Sequence, residues 1–175
     1  MKTAIDLDGV VYLLLEIWIQ EYNSRTGNNI NYKEIDNWDF INTDVENYLD
    51  VLKNEKIHLS APLIVNAKET LLELAKKHQI VFISNTLEIV RSVKAKRLYD
   101  DFQEINYCLH FTKNKDSVNW DIIIEDCPKN IIKLKGNKKV IISDHPYNRS
   151  ISEHKNSYRI KNWSEINKQI DRLIF

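Results

Sequence analysis

Apolar positions along this chain follow two periods. Short unbroken runs such as Ile80-Val81-Phe82-Ile83 and Ile122-Ile123-Ile124 suit strands covered on both faces. On this basis strands are predicted at 2–7, 80–83, 105–111, 120–124 and 139–142, with Tyr158-Arg159-Ile160 as a short edge strand. Between the runs the spacing turns helical. Helices are predicted over 12–25, closed by Gly27 and Asn28-Asn29, and over 43–53, with Thr43 or Asp44 as cap. Three more fit 66–78, with Leu71, Leu72, Leu74 and Ala75 on one side, 87–99, and 163–173 with Ser164 as cap. Residues 31–59 differ in texture: polar, Asn-rich, punctuated by Trp38, Phe40 and Tyr48, and ended by Pro62.

Strands alternating with helices predict an α/β fold, a parallel sheet with helices on both faces. Such sheets bind ligands beyond the carboxyl ends of their strands. Polar residues gather there: Asp6 and Asp8 after the first run, Ser84-Asn85-Thr86 after the second, then Glu125-Asp126 and Ser143-Asp144-His145.

Size and composition narrow the class. A chain of 175 residues with 43% hydrophobic content fits one domain with room for a small insertion. The formal net charge is zero, so no global field holds a nucleic-acid backbone. Clusters at 94–97 and 133–139 read as solvated lysine and arginine faces. The apolar stretch 9–19 is too short to span a bilayer and contains Glu16, so it reads as a buried helix start. Cys108 and Cys127 lack metal-type spacing, and a reduced, cytoplasmic setting is the expectation.

The candidate chemistry starts at Asp6-Leu7-Asp8-Gly9-Val10, with one of only three glycines directly behind an acidic pair. A glycine there permits a sharp turn and close approach to a ligand. Two carboxylates so placed can share a divalent cation, or divide nucleophilic attack and proton transfer between them. The plain alternatives are a solvated turn or part of a calcium loop, though the apolar residues after Val10 leave little room for the latter. Glu125-Asp126 can complete a hard-oxygen metal site suited to Mg²⁺, or form a turn before Pro128. Ser84, with the amides of Asn85 and Thr86 at a helix start, can hold a phosphate, or be a simple cap. Lys113 and Lys115 are candidate counter-charges or ordinary loop lysines.

Taken together, Asp6-Leu7-Asp8-Gly9-Val10, Ser84, Lys115 and Glu125-Asp126 resemble the four motifs of the haloacid dehalogenase superfamily. More narrowly, the chain resembles the 5′(3′)-deoxyribonucleotidase family. That match rests on Phe111-Thr112-Lys113-Asn114-Lys115-Asp116, Trp120-Asp121-Ile122-Ile123-Ile124-Glu125-Asp126, Pro146-Tyr147-Asn148-Arg149 and Trp163-Ser164-Glu165-Ile166. It covers nearly the whole chain and is weakest across 31–59. The resemblance implies a Rossmann-like core, 1–11 and 60–175, with a small helical cap, 12–59, inserted after the first strand. It implies Asp6 as nucleophile and Asp8 as proton donor and then water activator. Mg²⁺ would be held by Asp6, the backbone carbonyl of Asp8, and Asp126. Ser84, Asn85 and Lys115 would bind phosphate, with Lys115 preferred to Lys113 by its distance from Glu125-Asp126. Relatives usually carry two aspartates at 125–126, which puts Glu125 behind the direct ligands. Some carry an aromatic residue where this chain has Leu14.

The implied function is Mg²⁺-dependent hydrolysis of nucleoside monophosphates, deoxyribonucleotides first, through a phospho-aspartate. The partner is a small nucleotide, with no membrane and no nucleic acid expected and a homodimer left open. A sugar phosphate or a nucleic-acid 3′-phosphate is the alternative substrate. A scaffold that binds without turnover is the remaining class, and the presence of both Asp6 and Asp8 argues against it. Trp18, Trp38, Phe40 and Tyr48 are either core or a base-stacking surface, and His145 reads as a satisfied loop histidine.

Overall fold

The computed structural model describes residues 1–38 and 45–174. Phe40 and the proposed caps Thr43 and Asp44 lie outside the described residues. Six strands form one parallel sheet: β1 (Lys2–Ile5), β2 (Gln79–Ser84), β3 (Tyr107–Phe111), β4 (Ile122–Glu125), β5 (Lys139–Ser143) and β6 (Ser157–Ile160). Their spatial order is β3-β2-β1-β4-β5-β6. All five pairings are parallel, as the alternation of strand and helix requires.

The helices are α1 (Leu14–Thr26), α2 (Val45–Leu52), α3 (Glu55–Ser60), α4 (Ala67–Ala75), α5 (Arg91–Phe102), α6 (Pro128–Leu134) and α7 (Ile166–Ile174). One sheet face packs Phe82, Ile122, Ile124 and Ile141 with Leu71 and Leu74 of α4, Leu98 and Phe102 of α5, and Ile166 and Ile170 of α7. The other face sets Val81, Ile83, Ile123, Val140 and Ile142 against Ile131 and Leu134 of α6, with Trp120 and Ile151 filling the margin. The central strands are therefore apolar throughout because neither face meets water.

Several predicted boundaries move for identifiable reasons. Helix α1 starts after Tyr12 because the backbone of Tyr12 bridges to Leu63 and its carbonyl accepts from Gly9 N at 2.8 Å. It ends where predicted, with Gly27 in the left-handed region (φ +73°). The stretch predicted as helix from 87 is a 3₁₀ turn at Glu88–Val90 before α5 begins. Before α7, Asn162 rather than Ser164 makes the cap, with Glu165 reaching back to the Asn162 amide at 3.2 Å. Helices α3 and α6 were not predicted; α6 begins on Pro128, which suits a first helical position where no donor is needed.

Helices α1–α3 form a chain excursion between β1 and α4. Its two ends are joined by antiparallel bonds, Leu13 N to Pro62 O and Ile64 N to Val11 O, each 2.9 Å. Arg97 of α5 then holds the returning segment: its guanidinium donates to the carbonyls of His58 (3.3 Å), Leu59 and Ala61 (3.0 Å) and lies over the Tyr12 ring. Within the cluster 94–97, expected to be solvated, Lys96 is exposed but Arg97 is thus a fastening between the excursion and the helix α5 that packs on the sheet.

The topology decides where a site can form. Strand order reverses between β1 and β4, so loops leaving these two neighbours diverge and open a crevice. Ile5 pairs with Ile124 and Asp6 N donates to Ile124 O at 3.0 Å, which brings Asp6 beside Glu125.

Candidate active site

Above the carboxyl ends of the strands lies a cavity of about 480 Å³, a volume suited to a small ligand. Its floor is polar: Asp6 and Asp8 after β1, Ser84 at the end of β2 with Asn85 and Thr86 beyond it, Lys115 after β3, and Asp126 after β4. Its roof is apolar and aromatic, from Leu14, Leu15 and Trp18 of α1, Trp38, and Tyr48, Leu49 and Leu52 of α2. Trp18 stacks on Tyr22 at 4.9 Å, and Trp38 meets Tyr147 edge-on at 4.9 Å.

Lys115 is buried, and its Nζ lies 2.9 Å from Asp6 Oδ1 and 2.7 Å from Glu125 Oε2. Burial alone would lower its pKa, but the two carboxylates prevail and hold it above the usual lysine range. Lys113 is exposed at the cavity rim, so Lys115 is the lysine the fold brings to the carboxylates. The Trp120 indole donates to Lys115 O at 2.9 Å and fixes this loop.

Glu125 is engaged on both oxygens. Oε2 accepts from Lys115 and from Asn130 Nδ2 (3.2 Å), while Oε1 accepts from the amides of Asp126 (3.2 Å) and Cys127 (3.0 Å). Its oxygen nonetheless lies within 4.8 Å of oxygens of Asp6 and Asp126, and the three form a buried carboxylate cluster. Asp126 accepts from the Tyr147 hydroxyl at 2.5 Å, and its carbonyl accepts from Asn148 Nδ2 at 2.8 Å. Burial raises the Asp6 carboxyl to about 7, against the opposing pull of Lys115. Burial and the Asp6 charge raise Asp126 to about 8.

These residues fit a hard divalent cation. The donors are all oxygen, which suits Mg²⁺ rather than a thiolate-seeking metal. Among the described residues Lys94 pairs with Asp8 and Lys115 with Asp6 and Glu125, so the carboxylates of Asp6, Asp8, Glu125 and Asp126 outnumber the ammonium groups paired with them, and a divalent cation would offset the excess. Cys127 lines the same cavity, and burial lifts its thiol to about 12, so it is not a free thiolate at neutral pH.

Gly9 is required here on two counts. Its φ is +78°, and a Cβ at this position would sit 2.2 Å from Asp126 Oδ2. The carbonyl of Gly9 accepts from His145 Nε2 at 2.5 Å and from Ser143 Oγ at 3.2 Å, while His145 Nδ1 bonds the Tyr32 hydroxyl. Burial holds His145 below its ordinary pKa. It is the satisfied loop histidine expected, and it braces the loop that carries Asp6 and Asp8. Trp163 Nε1 donates to Val10 O at 2.7 Å and closes the same loop from α7's side. The tryptophan and the Pro146-Tyr147-Asn148-Arg149 segment thereby acquire physical roles that their sequence left unspecified.

Two expectations need correction. The Asn85 and Thr86 amides do not sit at a helix start, since the 3₁₀ turn begins at Glu88 and α5 at Arg91. No helix dipole therefore aids a phosphate at Ser84, whose hydroxyl bonds Thr86 Oγ1 at 2.7 Å. The Asp8 carboxylate, in turn, pairs with Lys94, a residue missed by the sequence reading. The available signal was spacing: Val90, Lys94, Leu98 and Phe102 recur every four residues, which puts a lysine inside a buried helical stripe.

Replacing Gly9 with Ala should displace Asp126 and lower activity by more than about a hundredfold, the scale on which misplaced reacting groups act. Kinetics on the variant, with circular dichroism to confirm folding, check this. Metal should also act on stability with a defined pH dependence. Because the folded pKa values of Asp6 and Asp126 are raised, the native state holds more protons than the unfolded chain between about pH 4 and 8. Their contribution to stability therefore falls as pH rises through that window, and cation binding, which needs the ionised forms, reverses the loss. Melting curves in EDTA and in Mg²⁺ should show a larger Mg²⁺-induced rise at pH 8 than at pH 5.5.

The family model described as "5′ nucleotidase, deoxy (Pyrimidine), cytosolic type C protein" matches residues 1–174. A 5′(3′)-deoxyribonucleotidase of Clostridium acetobutylicum is 29% identical over 172 residues, covering 93% of this chain and 90% of that protein. One of Bacillus subtilis is 28% identical over 176 residues, covering 95% and 96%. Among solved structures, a haloacid dehalogenase-like protein of Agrobacterium tumefaciens superposes with a TM-score of 0.66 at 14% identity, covering 99% of each chain, which shows a common fold. The chain belongs to the deoxy-type 5′-nucleotidase family within the haloacid dehalogenase-like fold.

Proposed function

We propose that this protein is a Mg²⁺-dependent phosphatase that hydrolyses nucleoside monophosphates, 2′-deoxyribonucleotides first among them, through a phospho-aspartate on Asp6. The observation that carries this reading is the convergence of Asp6, Asp8, Lys115 and Asp126 on one floor beneath an aromatic roof. Relatives of nearly equal length named 5′(3′)-deoxyribonucleotidase support it. In this reading residues 12–59 act as a cap over the core, and Leu14, Trp18, Trp38 and Tyr48 offer stacking and apolar contact to base and sugar.

In the first half-reaction an Asp6 oxygen attacks phosphorus as the bond to the nucleoside oxygen breaks, and Asp8 gives that oxygen a proton. Lys115, Ser84 and Asn85 hold the phosphate oxygens. In the second, water attacks phosphorus, Asp8 takes its proton, and the Asp6–phosphorus bond breaks. A Mg²⁺ ion held by the Asp6 and Asp126 side chains and the Asp8 carbonyl would offset the charge of attacking carboxylate and phosphate. Glu125, saturated by Lys115, Asn130 and two amides, orients Lys115 rather than binding the ion. Tyr147 aims Asp126.

The test is a phosphate-release panel of deoxy- and ribonucleoside 5′- and 3′-monophosphates, a sugar phosphate and a 3′-phosphorylated oligonucleotide, with Mg²⁺ or EDTA. Deoxyribonucleotides should be hydrolysed, EDTA should reduce release to background, and Asp6→Asn should lose more than about a thousandfold. Release from none of the nucleotides, or an active Asp6→Asn variant, contradicts the reading.

A further inference from the structure

We propose that Lys94 is a positioning residue for Asp8, supplying the charge against which Asp8 exchanges its proton. This rests on the reading of Asp8 as proton donor and acceptor. Lys94 is only 7% exposed and lies on α5 between buried Val90, which ends the preceding 3₁₀ turn, and buried Leu98. Its Nζ donates to Asp8 Oδ2 and, at 3.1 Å, to Thr86 Oγ1, which bonds the Ser84 hydroxyl at 2.7 Å. One buried ammonium thus joins the proton-handling carboxylate to the hydroxyl at the phosphate position.

Stability does not account for a lysine here. Burying an ammonium is costly even when it is paired, and a leucine would continue the stripe without that cost. No other carboxylate among the described residues pairs with Lys94, so its charge is committed to Asp8. His58, across the same small recess, donates from Nε2 to Leu52 O at 2.8 Å, and burial lowers its pKa.

The chemical consequence follows the proton. As the Asp6–phosphorus bond forms and the phosphorus–nucleoside oxygen bond breaks, the Asp8 proton passes to the leaving oxygen and Asp8 becomes a carboxylate. Lys94, itself buried, already stands where that negative charge develops. The Lys94–Asp8 ion pair is the arrangement between the half-reactions, after the leaving group is protonated and before water gives its proton back to Asp8.

This role separates from a merely structural one by leaving group. A nucleoside oxygen needs a proton to leave, whereas 4-nitrophenolate leaves as the anion. The measurement is kcat/KM, which reports formation of the phosphoenzyme, for a deoxyribonucleoside 5′-monophosphate and for 4-nitrophenyl phosphate, both with Mg²⁺. Lys94→Gln keeps a hydrogen-bond donor without charge, Lys94→Met removes both, and Lys94→Arg restores charge. Lys94→Gln and Lys94→Met should lose roughly 10- to 100-fold on the nucleotide, at least tenfold more than on the aryl phosphate, with part of the rate restored in Lys94→Arg. Equal losses on the two substrates, or nucleotide turnover by Lys94→Gln at the unsubstituted rate, overturn the proposal while leaving the phosphatase reading intact. Absence of turnover of both substrates by the unsubstituted protein would instead overturn the phosphatase reading, and the proposal with it.

Discussion

Lys115 stands between Asp6 and Glu125, 2.9 and 2.7 Å from their oxygens, and the rest of the site is arranged around the charge it leaves uncancelled. Asp6 and Asp126 are both buried, and their carboxyls sit far above the usual range because a low-dielectric crevice disfavours a second and third negative charge. A site in this condition favours a cation, which would relieve the repulsion among its carboxylates. The reversal of strand order between β1 and β4 creates the condition, since it places two acidic strand ends side by side over an open crevice.

Around these groups a second layer of bonds leaves little freedom. Glu125 is saturated, Tyr147 and Asn148 hold Asp126 by side chain and backbone, and His145 and Trp163 hold the carbonyls of Gly9 and Val10. Each of these carbonyls belongs to the loop behind Asp8, and leaving one buried without a donor would cost about 1–3 kcal/mol. The roof is built differently, from ring contacts and aliphatic side chains. The floor is thus held by directed bonds, while the roof offers apolar area above it.

The sheet was legible because its strands are short, apolar and end in polar residues, so period and punctuation agreed at Ile80–Ser84 and Ile122–Asp126. The acidic pair at Asp6 and Asp8 was legible for the same reason; the residues alone left Lys113 and Lys115 both open, and only the family resemblance, through the distance to Glu125-Asp126, favoured Lys115. Lys94 was not, because a lysine beside Lys96 and Arg97 has the composition of a solvated face; only its place in the stripe with Val90 and Leu98 distinguishes it. Helix α3 was hidden because six residues carry too little periodicity, and α6 because Pro128 reads equally as a turn or as a first helical residue. The roof residues were named as aromatics, yet their meeting over Asp6 depends on contacts across distant segments that no local pattern encodes.

The central claim is that Asp6 receives the phosphoryl group while Asp126 and Lys115 share the charge. A crystal structure with Mg²⁺ and beryllium trifluoride, which mimics an acyl phosphate, tests it most directly. The account predicts beryllium bonded to an Asp6 oxygen, fluorines contacted by Lys115 and Ser84, and the ion bound by Asp6 and Asp126. An adduct on any other residue, or an ion held by Glu125 apart from Asp6, would contradict it.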